Sequence, residues 1–484
     1  MKLSINFSII VRILGLLLLI ESAFILLSGG ISLIYGEEAY KTFGLTALIA
    51  IVLGATALLI TKNKSTNIKK REGFIIVSAV WVVFSFVGAL PFIFSGSIPN
   101  FTNAFFETIS GFTTTGSSVL NNIEALPHGV LFWRSIIQWM GGMGIIVLSL
   151  AILPILGIGG MQLFTAEVPG PTPDKFHPRV KQTAKTLWLI YVGFTIAETI
   201  LLMIGGMGWF DAVNHAFTTM ATGGYSTKQA SVAHFQNPFI HYVITAFMFL
   251  AGTNFALAYY GVKLNFKKIY KNEEFRYYFF FVASFTLITT AVLFLNSKLD
   301  LEQSFRDSSF QVVSLMTTTG YATTDYLEWI PFLWLLMFIV MFFGGSAGST
   351  GGGIKIMRIA LLLKRTGVEF KRLIHPNAVI PVRFNHEVVS PYIISNILSF
   401  VVLYISIFVI STVIMSAMGL DFETAMGTVI ATLGNIGPGI GDVGPSENFS
   451  QIPDLGKWFL SFLMLVGRLE LFTVLLLFSP AFWK

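Results

Sequence analysis

The chain has 484 residues, 54% hydrophobic and 12% charged, with a mean hydropathy of +0.75. Long uncharged apolar runs recur from end to end, which excludes a soluble domain and marks a polytopic membrane protein. There is no cysteine, and the seven histidines show no HxxxH or comparable spacing, so a disulfide framework, a thiolate metal site and zinc chemistry are excluded.

The first apolar run, roughly 7–28, is too long for the core of a signal peptide, and Ser28-Gly29-Gly30 is a poor cleavage site, so it is read as a true span. Further runs long enough to cross a bilayer, about 20 residues each, fall near 39–61, 73–95, 129–153, 185–206, 238–262, 276–296, 330–363, 388–418 and 455–480. The expected fold is all-α with ten transmembrane helices.

Between spans three and four, five and six, seven and eight, and nine and ten lie segments of intermediate hydrophobicity. They end in TTTG at Gly116, ATGG at Gly224, TTTG at Gly320 and ATLG at Gly434. Two residues before each glycine stand Thr114, Thr222, Thr318 and Thr432; six before stand Ser110, Thr218, Ser314 and Thr428. Thirteen before stand Asn103, Asp211, Asp307 and Asp421. Such a code predicts four units of span, short helix, glycine turn and span, behind an extra N-terminal pair. The expected divisions are 1–70 for the pair, then 71–175, 176–270, 271–375 and 376–484 for four pore repeats. Small and hydroxyl residues also let membrane helices pack closely, but packing alone does not require four copies in register.

Short-loop basic residues set orientation. Lys62, Lys64, Lys69, Lys70, Arg71; Lys175, Arg179, Lys181, Lys185; Lys263, Lys267, Lys268, Lys271, Arg276; and Lys355, Arg358, Lys364, Arg365, Lys371, Arg372, Arg383 fall on one side. Lys41, Arg134, Lys228, Lys298, Arg306 and Lys457 fall on the other. The first side is expected to be cytoplasmic, with both termini inside and all four turns entering from outside. The outer segments carry Glu107, Glu124, Asp211, Asp307, Asp325, Asp421 and Asp442 among other acids, a face that concentrates cations. The net charge of +6 is thus topology, and no nucleic-acid partner is expected. Trp133, Trp209, Trp329 and Trp458 fall near outer span ends as interfacial anchors.

Asn and Asp are strong N-caps, so each short helix is expected to begin thirteen residues before its glycine and to point its partly negative C-terminus at the membrane centre. Glycine then permits an extended turn that aims carbonyls at an axis, and four such turns make a cation-selective ring. The candidate potassium filter is Thr114, Thr115, Gly116; Thr222, Gly223, Gly224; Thr318, Thr319, Gly320; and Thr432, Leu433, Gly434, Asn435.

In these residues, and in GFTTTGSS, TTMATGGYST, TTTGYATTD and ATLGNIGPG, the sequence resembles the Trk/Ktr/HKT superfamily of potassium transporters over nearly its whole length, most closely the TrkH/TrkG branch. The resemblance implies potassium uptake through a bacterial inner membrane, a homodimer of pore subunits, and a cytosolic TrkA-type nucleotide-binding ring; no nucleotide site is expected in this chain. All four filter positions are glycine, the potassium-conducting pattern, while their neighbours differ: Thr115, Gly223, Thr319 and Leu433 before, Ser117, Tyr225, Tyr321 and Asn435 after. Selectivity is therefore expected to be imperfect, passing rubidium and caesium.

The eighth span is broken by Gly344, Gly345, Ser346, Ala347, Gly348, Ser349, Thr350, Gly351, Gly352 and Gly353, about 14 residues or roughly 20 Å into the membrane. Irregular backbone at that depth must be buried in protein or line a cavity; the resemblance implies an intramembrane loop that closes the pore. A phosphate-loop reading of Gly348–Lys355 fails for want of GK[ST] and a preceding strand, and GxGxxG at Gly439–Gly444 has no βαβ setting. Arg468 lies deep in the last span, where a charge needs a cavity or partner. It is expected beneath the filter as part of the gate, the alternative being an ion pair with Glu470 or Glu198. Glu21 and Glu198 are read as interhelical hydrogen-bond partners. A membrane enzyme would need clustered carboxylates or histidines, which are lacking; a proton- or sodium-coupled symporter, or a sodium-permeable relative, stays open as the competing function.

Overall fold

The computed structural model describes residues 5–62, 70–144 and 180–483. The end of the expected fourth span and the basic residues Lys64, Lys69, Lys175 and Arg179 lie outside the described residues.

Six helices among the described residues are long and apolar enough to cross a membrane: Phe7–Ile34, Ala39–Ile60, Arg71–Phe94, Ala184–Ile204, Glu273–Asn296 and Pro391–Ala417. Two bent pairs raise the number to eight if each is one span. Two expected straight spans are broken instead, and the 330–363 run is interrupted at its glycines as expected. Pro238–Ala251 and Phe255–Val262 meet at 113°, and Asp454–Arg468 and Phe472–Phe478 at 112°. The 330–363 run stops as helix at Val340 and resumes at Ile356, because the glycines between carry no side chains to hold a helix. The first two spans pack closely at small residues: a β-carbon on Gly15 would lie 2.6 Å from that of Ala57, and one on Gly54 would lie 2.7 Å from the Gly15 carbonyl.

Inside this frame sit four short helices, Phe101–Phe112, Trp209–Met220, Leu301–Met316 and Phe422–Leu433. They are the core rather than the rim. Ala104 to Phe112 and Asp307 to Met316 are buried without a gap, whereas the long helices expose residues such as Ile34 and Leu59. Their N-termini correct the expected caps. Asn100 Oδ1 accepts from the Asn103 amide at 3.0 Å and Asp300 Oδ1 from Gln303 at 2.7 Å, so the first and third helices start earlier than predicted. The second starts after Gly208, and Asp211, one turn in, accepts the Thr227 hydroxyl at 2.6 Å. Only Asp421 caps as expected, taking the amides of Glu423 and Thr424 at 3.1 Å each. Hydrogen bonds from Thr424 hold this exposed carboxylate below its usual pKa. Asp421→Ala should cost about 1 kcal/mol of thermal stability, measurable as a small fall in Tm; no change would show that packing alone sets this helix end.

Three other expectations change. Glu107 and Arg134, placed on the outer face by the sequence, are 0% and 1% exposed and paired with each other. Trp133 is buried and donates its indole N–H to Gly88 O at 2.9 Å, so it is a packing residue and no interfacial anchor; Trp209 and Trp458 remain exposed. Glu21 is fully buried, and its carboxyl finds no hydrogen-bond partner among the described residues.

Candidate functional site

Each short helix ends in the same backbone turn. After the helix C-cap comes a non-glycine residue in the left-handed region and, two residues later, a glycine with positive φ. The first three pairs are Thr114 and Gly116 (φ 53° and 86°), Thr222 and Gly224 (53° and 73°), and Thr318 and Gly320 (59° and 81°). In the fourth the pair is Asn435 and Gly437 (53° and 101°). The amides of Thr115, Gly223, Thr319 and Ile436 then reach back to the carbonyls of Ser110, Thr218, Ser314 and Ala431, all at 2.8 Å.

This corrects the expected register of the fourth turn by three residues. Gly434 is the helix C-cap with φ −78° and ψ −13°, matching Thr113, Ala221 and Thr317. Thr432 and Leu433 are still helical, and the Thr432 hydroxyl is spent on Thr428 O at 2.7 Å. The physical cause is a wider sequence gap, Gly434-Asn435-Ile436-Gly437, in which two glycines compete for one role and only the second has the required φ.

The turns close on one another in chain order. A β-carbon on Gly116 would strike the Gly223 carbonyl, one on Gly224 the Thr319 carbonyl, one on Gly320 the Ile436 carbonyl, and one on Gly437 would come within 2.9 Å of the Thr115 carbonyl. First meets second, second third, third fourth, and fourth first. Gly116, Gly224 and Gly320 keep partial exposure among buried neighbours, while Gly437 is buried.

A cuff of side chains ties the ring from outside, and most of it was not legible in the sequence. Tyr225 Oη donates to Glu107 O at 2.7 Å, joining second turn to first helix. Tyr321 Oη bonds the Thr218 hydroxyl and His215 O, joining third to second, and Tyr326 Oη donates to Gly439 O at 2.6 Å, joining third to fourth. Asn435 Nδ2 donates to Thr115 Oγ1 at 2.9 Å and Ser117 Oγ to Gly437 O at 3.2 Å, joining fourth to first. Gln138 Nε2 donates to Gly223 O at 2.6 Å and its Oε1 accepts the Tyr225 amide at 3.0 Å. The available signal was Arg134 and Gln138, four apart in an apolar helix, where two polar side chains share one face and need partners.

The 344–353 stretch lies against the turns and the 113° corner. Gly344 N donates to Ile354 O at 2.9 Å, making the stretch a closed loop, and Gly348 and Gly353 supply positive φ at 75° and 61°. Ser346 N reaches Gly252 O at 2.8 Å, Thr350 Oγ1 reaches Met220 O at 3.1 Å, and Gly352 N reaches the Thr318 hydroxyl at 2.6 Å. A β-carbon on Gly352 would strike the Gly434 carbonyl, and one on Gly345 would lie 2.7 Å from Ser349 Oγ. Within the loop, Gly351 O accepts the buried Lys355 ammonium. Arg468 spans the gap between loop and first turn: Nη1 donates to Thr114 Oγ1 at 2.9 Å and Thr350 O at 2.8 Å, Nη2 to Gly141 O at 2.6 Å and Gly142 O at 3.0 Å. Of the two alternative partners read from sequence, Glu470 and Glu198, the first is paired instead with Arg358.

Sequence comparison gives the same neighbourhood. The TrkH family, described as cation transport protein, matches residues 40–484. The chain is 44% identical to the Trk system potassium uptake protein TrkH of Salmonella typhimurium over 488 residues, 99% of this chain and 100% of that protein. It is 34% identical to TrkG of Escherichia coli K12, covering 94% of each. The crystal structure of the potassium transporter TrkH from Vibrio parahaemolyticus superposes with a TM-score of 0.88 at 38% identity, covering 99% of this chain and 100% of that one. A multi-pass helical protein with this match along its length belongs to the TrkH family of cation transport proteins.

Proposed function

We propose that this chain is the pore subunit of a bacterial inner-membrane potassium uptake system, with the four turns as its filter. The observation that carries the reading is the closed ring of positive-φ glycines at Gly116, Gly224, Gly320 and Gly437, each abutting a carbonyl of the next turn. Four short helices aim their C-terminal ends at that ring, where partial negative charge favours a cation. The relatives named as potassium uptake proteins support the choice of ion.

On this reading ten spans form four pore repeats behind an N-terminal pair, with both termini cytoplasmic and the turns entered from outside. Two elements close the path below the filter: the 344–353 loop, bonded to Thr318, and the Arg468 guanidinium, bonded to Thr114. A fixed positive charge there opposes cation passage. Two copies assemble as a homodimer, and a TrkA-type ring docks on the basic cytoplasmic loops to move these barriers.

Flux in proteoliposomes tests the two parts separately. Gly224 has φ 73° and no room for a β-carbon, so Gly224→Ser should lower the potassium-to-sodium flux ratio roughly tenfold, as a differential cost near 1.4 kcal/mol would. An unchanged ratio would remove the filter assignment. Arg468→Ala should raise basal potassium flux by roughly tenfold, and deletion of Gly348 to Gly353 should do the same; wild-type flux in both would remove the gate.

A further inference from the structure

The last span turns through 112° at a corner made without glycine. Glu470 and Leu471 both hold positive φ, 53° and 59°, a conformation in which a β-carbon crowds the backbone and for which glycine is the default. Strain of this kind persists where surrounding structure over-determines it. Here the fixing contacts are visible: Leu471 N donates to Val466 O at 2.9 Å, and the Glu470 carboxylate pairs with the Arg358 guanidinium. The pair is largely shielded, 15% and 11% exposed, and Arg358 also lies 3.8 Å over the Phe400 ring. A side chain is thus kept at position 470 despite its backbone cost, and that side chain's partner is on another helix.

The partner helix is the continuation of the glycine-rich loop. Arg358 is in the first turn of Ile356–Ile374, three residues after Lys355, whose ammonium is bonded to the loop carbonyl of Gly351. Glu470 is two residues after Arg468, whose guanidinium holds the Thr114 hydroxyl and the Thr350 carbonyl. One helix end therefore bonds the loop directly and reaches the Arg468 segment through Glu470.

We infer that the Arg358–Glu470 ion pair is a latch: it holds the strained 470–471 corner, aims Arg468 under the first turn, and couples that arginine to the loop through the start of Ile356–Ile374. Displacing this helix breaks the pair, lets the corner relax and withdraws Arg468 and the loop together. Arg358 and Glu470 are positioning residues, acting through Arg468; the inference rests on the gate proposed for Arg468 and the loop.

The test is basal potassium flux of the full-length protein in proteoliposomes. Arg358→Gln and Glu470→Gln should each raise it to about the level of Arg468→Ala, roughly tenfold. The charge swap Arg358→Glu with Glu470→Arg should restore a low flux. In an Arg468→Ala background, Glu470→Gln should add nothing, because both changes act on one element. Glu470→Gly guards against misfolding: it removes the carboxylate while easing the backbone, so it should leak as Glu470→Gln does but with a higher Tm than that variant. Raised flux in Arg468→Ala beside wild-type flux in Glu470→Gln and Glu470→Gly overturns the latch alone, as does a further rise in the double variant. Wild-type flux in Arg468→Ala overturns the gate reading, and the latch with it.

Discussion

Alanine at position 437 is expected to lower the potassium-to-sodium flux ratio roughly tenfold, and alanine at position 434 to leave it within about twofold. The same methyl group is added three residues apart, so chemistry is held constant and only the backbone setting differs. Gly437 has φ 101°, where an L-residue costs about 1–2 kcal/mol, and its β-carbon would sit 2.9 Å from Thr115 O and 3.2 Å from the Gly116 carbonyl carbon. Either the methyl is strained or the neighbouring carbonyl moves, and that carbonyl belongs to the first turn. Because each turn abuts the next, a shift at one junction reaches the whole ring, which on the proposed reading is the filter. Gly434 has the dihedrals of a helix end; its methyl would crowd Ile430 O at 2.7 Å and the movable tip of Ile436 at 2.8 Å, both within the fourth unit, so no neighbouring turn is pushed. Ratios measured by ion flux in proteoliposomes decide the matter. Equal losses at 434 and 437, or a greater loss at 434, would return the fourth turn to the register that the bare sequence suggests.

The register error shows what the sequence carried and what it did not. Hydropathy located the long helices because twenty apolar residues in lipid have one solution, a helix with all its backbone bonds inside. Thr-rich runs ending in glycine located three turns because Thr113 to Gly116 and Thr317 to Gly320 are identical tetrapeptides and Ala221 to Gly224 is close to them. The fourth turn was mislocated because ATLG matches ATGG in letters, while the backbone selects φ, and φ is set by where Phe422–Leu433 runs out of helix. The caps at Asn100 and Asp300 were missed for a related reason: two candidate acceptors lie within one or two turns, and tertiary packing chose the earlier. Bends at 252–254 and 469–471 escaped the hydropathy reading because one Asn254 or one Glu470 does not interrupt a window as apolar as its flanks. Polar residues inside apolar helices were the most informative letters, and Arg134 was misread only because it was counted as a loop charge.

Removing Arg134 should be the most damaging single change outside the turns. Its Nε donates to Glu107 Oε1 at 2.9 Å and its Nη1 to Ser226 O at 3.1 Å, with the guanidinium 4.2 Å over the Tyr225 ring. Glu107 in turn accepts the Val119 amide at 2.9 Å and the Ser118 hydroxyl at 3.0 Å. Arg134 thereby joins the first short helix, the segment leaving the first turn and the segment leaving the second, with both charges out of water. Arg134→Met keeps the apolar bulk and leaves a buried carboxylate unpaired, at a cost of about 3–5 kcal/mol. Arg134→Lys keeps the charge, but one ammonium cannot reproduce a planar fork that reaches both Glu107 and Ser226, so it should recover only part of the loss. Adding Glu107→Gln to Arg134→Met removes the stranded charge and should be milder than the single change, although each alone is harmful. The comparison is made by thermal unfolding of detergent-solubilised protein, with potassium uptake as a second readout. A double variant as unstable as the sum of the two singles would show that the residues act independently and that the pair does not clamp the first two turns.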